Sequence, residues 1–159
     1  MIPDAKTIEA LREALDDEYK ARATYRKVIE AFGPVRPFVN IVEAEDRHAK
    51  ALLAQFARFG VEPPEDTWPE RIKAPRTLVE ACRAGVEAEI ENEAMYKRLL
   101  QQVSDAAALA VMRRLQQASQ ERHLPAFKRC LERETSEGGG SRRPVGGRGL
   151  RARVRRRGS

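Results

Sequence analysis

The chain has 159 residues, 42% of them hydrophobic and 34% charged, with a formal net charge of +6. That length suits one domain with a real core, and no run of about 18 apolar residues is present to span a membrane. Two cysteines exclude a small disulfide framework. The opening Met-Ile-Pro-Asp-Ala-Lys lacks the basic and apolar regions of a signal peptide, so a cytoplasmic location is expected.

The charge is unevenly divided. Residues 135–159 hold eight Arg and one Glu, leaving 22 basic and 23 acidic side chains in residues 1–134. A nearly neutral body therefore precedes a strongly basic tail.

Asp4 is the expected N-cap of a first helix reaching about Phe32. Gly33 and Pro34 should end it, Gly33 by left-handed capping. Its inward stripe runs Ile8, Leu11, Leu15, Glu18, Tyr25, Ile29 and Phe32. Glu18 stands in that stripe where an apolar residue would be expected. Asp16 and Asp17 fall off it and read as solvated. Pro37 suits the first turn of a second helix ending near Phe59, before Gly60. There Phe38, Ile41, Glu45, His48, Leu52, Phe56 and Phe59 recur at steps of three or four. The seam of this helix thus contains Glu45-x-x-His48. Ionised groups in a core are costly unless paired or bound to metal, and Glu-x-x-His directed into a bundle is half of a dinuclear metal site.

Residues 61–75 contain four prolines around Trp68, which argues against helix. Fifteen extended residues reach about 45 Å, and a 25-residue helix is about 37 Å long. The segment can therefore cross the full length of a bundle. A third helix is expected from about Arg76 to Val103, with Leu78, Cys82, Gly85, Glu89, Asn92, Tyr96 and Leu99 inward. Ser104 or Asp105 should cap a fourth helix reaching about Glu134. Its stripe reads Leu109, Met112, Gln116, Ser119/Gln120, His123, Phe127 and Cys130. Pro125 within it predicts a kink or π-bulge just after His123.

The fold class expected is all-α: an antiparallel four-helix bundle over residues 1–134, with a long crossover between helices two and three. The Gly/Arg-rich residues 135–159 bury too little to offset their ordering entropy and are expected to be disordered. Glu18 with Tyr25, and Glu89 with Tyr96, share a seven-residue spacing. Glu45-x-x-His48 is echoed by Gln120-x-x-His123. Two similar hairpins would then face each other about a pseudo-twofold.

The general pattern for carboxylate-bridged metal pairs is a lone Glu on two helices and Glu-x-x-His on two others. The chain matches every position but one, where Gln120 replaces a glutamate. On these residues it resembles the ferritin-like superfamily, on the rubrerythrin-like side, and within it a prokaryotic family of ferritin-like domains of unknown function. The resemblance covers about residues 4–132. It is carried by Asp17-Glu18-Tyr19-Lys20-Ala21, by Arg36-Pro37-Phe38 through Glu45-Asp46-Arg47-His48, by Ala84 through Ile90, and by Arg122 through Phe127.

The resemblance implies two metal ions, iron first and manganese second, and redox chemistry of ferroxidase or peroxidase type with dioxygen or peroxide. It implies that Glu18 and His48 hold one ion, that Glu45 bridges, and that Glu89 and His123 hold the other. Gln120 would leave the second position weaker, since a neutral amide coordinates poorly. Asn92 is a further polar residue of the seam. Tyr25 and Tyr96 are candidate hydrogen-bond donors behind the ligands, packed aromatics with satisfied hydroxyls being the preferred reading.

Cys82 lies seven residues before Glu89, and Cys130 seven after His123. The two thiols are thereby brought near each other, either as a redox pair or, preferably, as two buried hydrophobes. No Cys-x-x-Cys is present, so any electron donor is external. The tail offers phosphate contacts to nucleic acid or another polyanion, although no aromatic residue interleaves with its arginines. Self-association is left open. The competing function is a non-catalytic helical interaction domain with a relic polar core and a polyanion-binding tail.

Overall fold

The computed structural model describes residues 2–136 and 143–144. The remainder of the basic tail, expected to be disordered, lies outside the described residues. All regular structure among the described residues is helical: α1 (Ala5–Phe32), α2 (Phe38–Phe59), α3 (Leu78–Leu99), α4 (Ala106–Ala118) and α5 (Leu124–Ser136), with a π-turn at Ser119–His123 between the last two. α4, the π-turn and α5 form one continuous rod, so the architecture is a four-helix bundle.

The helix starts follow from capping. Asp4 accepts from Thr7 N, Thr77 from Glu80 N and Asp105 from Ala108 N, each satisfying an otherwise orphaned amide. α3 is shorter than its periodicity predicts. The Thr77 cap fixes its start, and residues after Leu99 tighten into a turn in which Gln101 and Gln102 donate to Arg98 and Leu99. Gly60 ends α2 in the left-handed region at φ 65°, ψ 30°. Gly33 ends α1 at φ 85°, ψ −171°, outside the left-handed well expected of it. Pro37 stands at the N-cap of α2 rather than in its first turn.

The crossover spans the bundle as its length predicts, lying along α1. Asp66 accepts from Arg22 and Trp68 Nε1 donates to Asp16, while Ile72, Lys73 and Ala74 border Lys27 and Ala31 near the far end of that helix.

Two apolar clusters divide the interior. One contains Leu11, Leu15, Leu52, Phe56, Leu99 and Met112, and the other Tyr25, Val28, Phe38, Leu78, Phe127 and the two cysteines. Along the four helices, the buried polar residues Glu18, Glu45, Glu89, Asn92, Ser119 and His123 fall between them.

Cys82 of α3 and Cys130 of α5 are joined in a disulfide with Cα atoms 5.6 Å apart, fully buried. The preferred reading of two free buried thiols is thus corrected. The antiparallel run of α3 and α5 brings the positions within the usual bonding span of Cα atoms. With its ends 48 positions apart in sequence, the link stabilises the fold by about 4 kcal/mol on loop-entropy grounds.

Candidate metal centre

Glu18, Glu45 and Glu89 are all but inaccessible, at 1%, 2% and 3% exposure. Three ionised carboxylates in such surroundings would each lose several kcal/mol of hydration, so their neighbours decide the site's character. His48 Nδ1 lies 3.2 Å from Glu45 Oε2 and 3.4 Å from Glu18 Oε2. His123 Nδ1 lies 3.1 Å from Glu45 Oε1 and 3.5 Å from Glu89 Oε1. Glu45 therefore presents one oxygen to each imidazole. The rings stack at 5.4 Å between centroids and 19° between planes.

The result is two overlapping triads, Glu18–Glu45–His48 and Glu45–Glu89–His123, whose ligand atoms lie within 4.8 Å of one another. Each has the oxygen and nitrogen donors that suit iron(II) or manganese(II). His123 Nδ1 is buried and accepts or donates no hydrogen bond, although two carboxylate oxygens stand close by. Such an orphaned donor atom, aimed at carboxylates, fits a cation held among them.

The carboxylates are oriented from behind. Tyr25 Oη donates to Glu89 Oε1 at 2.9 Å, and Tyr96 Oη donates to Glu18 Oε1 at 2.6 Å. Each tyrosine thus serves the glutamate of the opposite helix, α1 to α3 and α3 to α1. Burial, and then the charge of the partner glutamate, pushes both phenols well above their ordinary range, so they remain donors. Ser119 Oγ donates to Glu89 Oε2 at 2.5 Å.

Without a cation the centre is balanced by protons. Burial opposes charge on His48 and His123, but the flanking carboxylates outweigh it and hold their pKa values at about 10 and about 9. Burial, reinforced by the negative charge of Glu45, pushes Glu18 up to about 7. Burial also acts to raise Glu45, but the close approach of Glu18, His123 and His48 prevails and keeps it below the usual carboxylate range.

Three expectations need correction. Gln120 does not face the centre: it is exposed and donates to Glu93. A π-turn holds more residues than an α-turn, so His123 shares its inward face with Ser119, and Gln120 swings outward. The π-turn ends at His123 rather than following it, and relieves the clash that the Pro125 ring would make with the preceding turn. Asp17, read as solvated, is half-buried and accepts from Asn92 Nδ2 at 2.7 Å. Burial is the main cause that pushes its pKa up to about 7. Asn92 is a partner of Asp17, lines the same small volume as Glu45 and Glu89, and its Oδ1 has no hydrogen bond.

The centre has two unequal approaches. Between α1 and α3 a volume of about 30 Å³, lined by Asp17, Tyr25, Glu45, Glu89 and Asn92 among others, has room for a water molecule. Between α2 and the π-turn a cleft of about 310 Å³ reaches His48 and His123. Sequence reasoning missed this cleft and the roles of Asp17 and Ser119. A polar residue one position off a stripe carries no signal of burial, and a cleft between helices is not a property of either helix.

No protein-family model matches the chain, and no curated protein matches it in sequence. Solved structures do match. A hypothetical protein of Methanococcus jannaschii DSM 2661 is similar at TM-score 0.71 and 20% identity, over 79% of each chain. A conserved hypothetical protein of Mycobacterium tuberculosis is similar at TM-score 0.66 and 15% identity, over 80% of this chain and 92% of that one. The third is a two-domain protein of Anabaena variabilis ATCC 29413 containing DJ-1/ThiJ/PfpI-like and ferritin-like domains. It matches at TM-score 0.70 and 15% identity, over 91% of this chain but 42% of its own. At such identities the likeness shows the helical-bundle fold, one shared with a protein described as having a ferritin-like domain.

Proposed function

We propose that the chain is a ferritin-like di-metal carboxylate protein, a di-iron oxidoreductase acting on iron(II), dioxygen or peroxide, with manganese as the second choice of metal. The observation that supports this most is Glu45, whose two oxygens each face a different histidine at 3.2 and 3.1 Å. Glu18 and His48 would hold one ion, Glu89 and His123 the other, and Glu45 both. When bound, a pair of such ions would supply two electrons to dioxygen or peroxide. Tyr25 fixes Glu89 through Oε1, the oxygen that faces His123, and Tyr96 fixes Glu18 through Oε1, leaving Glu18 Oε2, which faces His48, as a ligand. Ser119 steadies Glu89, and the apolar clusters on either side exclude bulk water. The electron donor would be a separate protein or small reductant. The expected division into a bundle of residues 1–134 and a basic tail of 135–159 belongs to this reading, as does a cytoplasmic location. Among the described residues no helix is long and apolar enough to cross a membrane.

One observation favours a second reading. The imidazoles already lie within ion-pair distance of the carboxylates, so a metal-free, salt-bridged core in an interaction domain is electrostatically viable. Its basic tail would then contact a polyanion. Metal analysis of protein purified without chelator, followed by anaerobic iron(II) titration and exposure to peroxide, separates the two. Near two ions per chain, with an oxo-bridged iron absorption after oxidation, is the expected result. No metal under any condition would overturn the di-metal reading in favour of the interaction domain.

A further inference from the structure

The larger approach to the centre has its own chemistry. Its walls come from α2 and the π-turn: Asn40, Ile41 and Arg47 on one side, Arg122 on the other, with His48 and His123 at its inner end. Asn40, Arg47 and Arg122 are exposed. The side chains of His48 and His123 are 12% and 6% exposed, so the imidazoles form the floor. Neither Arg47 nor Arg122 has an ion-pair partner among the described residues. Asp46, next to Arg47 in sequence, is already committed to Arg22, Arg26 and Lys50. Other guanidinium groups near carboxylates are paired, as Arg22, Arg58 and Arg98 are. Two unpaired cations therefore flank one concave space that ends on the candidate metal ligands.

The volume, about 310 Å³, lies at the lower end of the range for small-molecule sites. Hydrogen peroxide is neutral near pH 7 and little larger than water. It needs neither that space nor two guanidinium forks, and the water-sized volume on the opposite side suffices for it. The fork geometry of arginine matches carboxylate and phosphate oxygens.

We propose that this cleft is the binding site for a small organic anion of carboxylate or phosphate type, held by Arg47 and Arg122 with its far end against His48 and His123. The proposal deepens the di-metal reading by naming the class of co-substrate or ligand that reaches the centre. Its binding step stands without a metal.

The test is calorimetric titration of the full chain, both chelator-treated and iron(II)-loaded under anaerobic conditions. The probes are succinate, glycerol 3-phosphate and the neutral control succinamide. Saturable binding of at least one anion is expected, with none of succinamide, and succinate against glycerol 3-phosphate distinguishes the two anion types. Arg47→Gln and Arg122→Gln should each weaken binding about tenfold, as loss of one charge-assisted hydrogen bond does. Both side chains are exposed, so the variants should keep their helical circular dichroism. In the chelator-treated protein the ring resonances of His48 and His123 should shift with the anion.

Anion binding that survives both substitutions would reflect the arginines of the tail and would overturn the proposal. So would failure of both anions to saturate the unsubstituted protein. Failure to take up iron with anion binding intact would remove the di-metal reading and leave the cleft standing.

Discussion

Tyr96 Oη donates to Glu18 Oε1 at 2.6 Å, from α3 to a glutamate 78 residues earlier on α1. Both groups are fully buried, so neither has water as an alternative partner. Tyr96→Phe removes the donor and strands a buried acceptor, which costs about 1–3 kcal/mol. Urea unfolding should show this loss as a lower midpoint with an unchanged slope. A shift below about 0.5 kcal/mol would mean that the hydroxyl is not a structural partner of Glu18.

Glu45 is shared by both triads, so its removal should affect them together. In Glu45→Ala, iron(II) uptake should fall from the pair to at most one weakly held ion, with helical content preserved. Unchanged stoichiometry in that variant contradicts the bridging role.

The outward turn of Gln120 separates it from the metal ligands. Gln120→Glu is expected to leave metal affinity unchanged, while setting a second negative charge beside Glu93. Ser119→Asp places a carboxylate where the π-turn faces Glu89 and should alter affinity at the Glu89–His123 position. If Gln120→Glu were the variant that tightens binding, the winding of residues 119–123 would have to be α-helical.

Gly85 allows α3 to approach α5. A Cβ there would lie 2.5 Å from Phe127 Cδ1, on a ring with no exposed surface. Tyr25 and Phe38 pack on that ring at 5.0 and 5.2 Å, so it has little freedom to yield. Gly85→Ala should destabilise by about 1–3 kcal/mol. Combining it with Phe127→Leu should cost less than the sum of the two changes. Strict additivity in that double-mutant cycle would argue against the contact.

Asp4 carries a pH dependence. A hydrogen bond from Ser104, and then one from the Thr7 amide, lower its pKa from 3.8 to about 2. A carboxyl depressed by folding contributes stability that is fully present above its unfolded pKa. That stability is lost as pH falls through the folded value. The advantage of the native protein over Asp4→Ala in thermal unfolding should therefore be constant above about pH 5 and shrink between about pH 4 and 2. A difference that grows on acidification would contradict the assignment.

The helical stripes made much of this legible. Glu18, Glu45, His48, Glu89 and His123 each interrupt an apolar face, and side-chain period alone puts them inside. The crossover's reach followed from its length. What was not legible depends on contacts between elements or on departures from α-winding. Asp17 is one step off the stripe, and only the approach of Asn92 covers it. Ser119 displaces Gln120 because Pro125 forces a wider turn before it, which a count in steps of three misses. The pairing of Cys82 with Cys130 follows from the depth at which α3 meets α5.

The π-turn also sets the phase of the rest of the rod. Beyond it, Phe127 and Cys130 point at α3 because one additional residue has been accommodated between Ala118 and Leu124. Deleting one residue from 119–123 would restore ordinary winding and rotate α5 by about 100° relative to α4. Phe127 would leave Gly85, the sulfurs would part, and His123 would turn from Glu45. The length of this short segment is therefore constrained independently of its side chains: one residue fewer would undo a packing contact, a covalent link and a metal ligand at once.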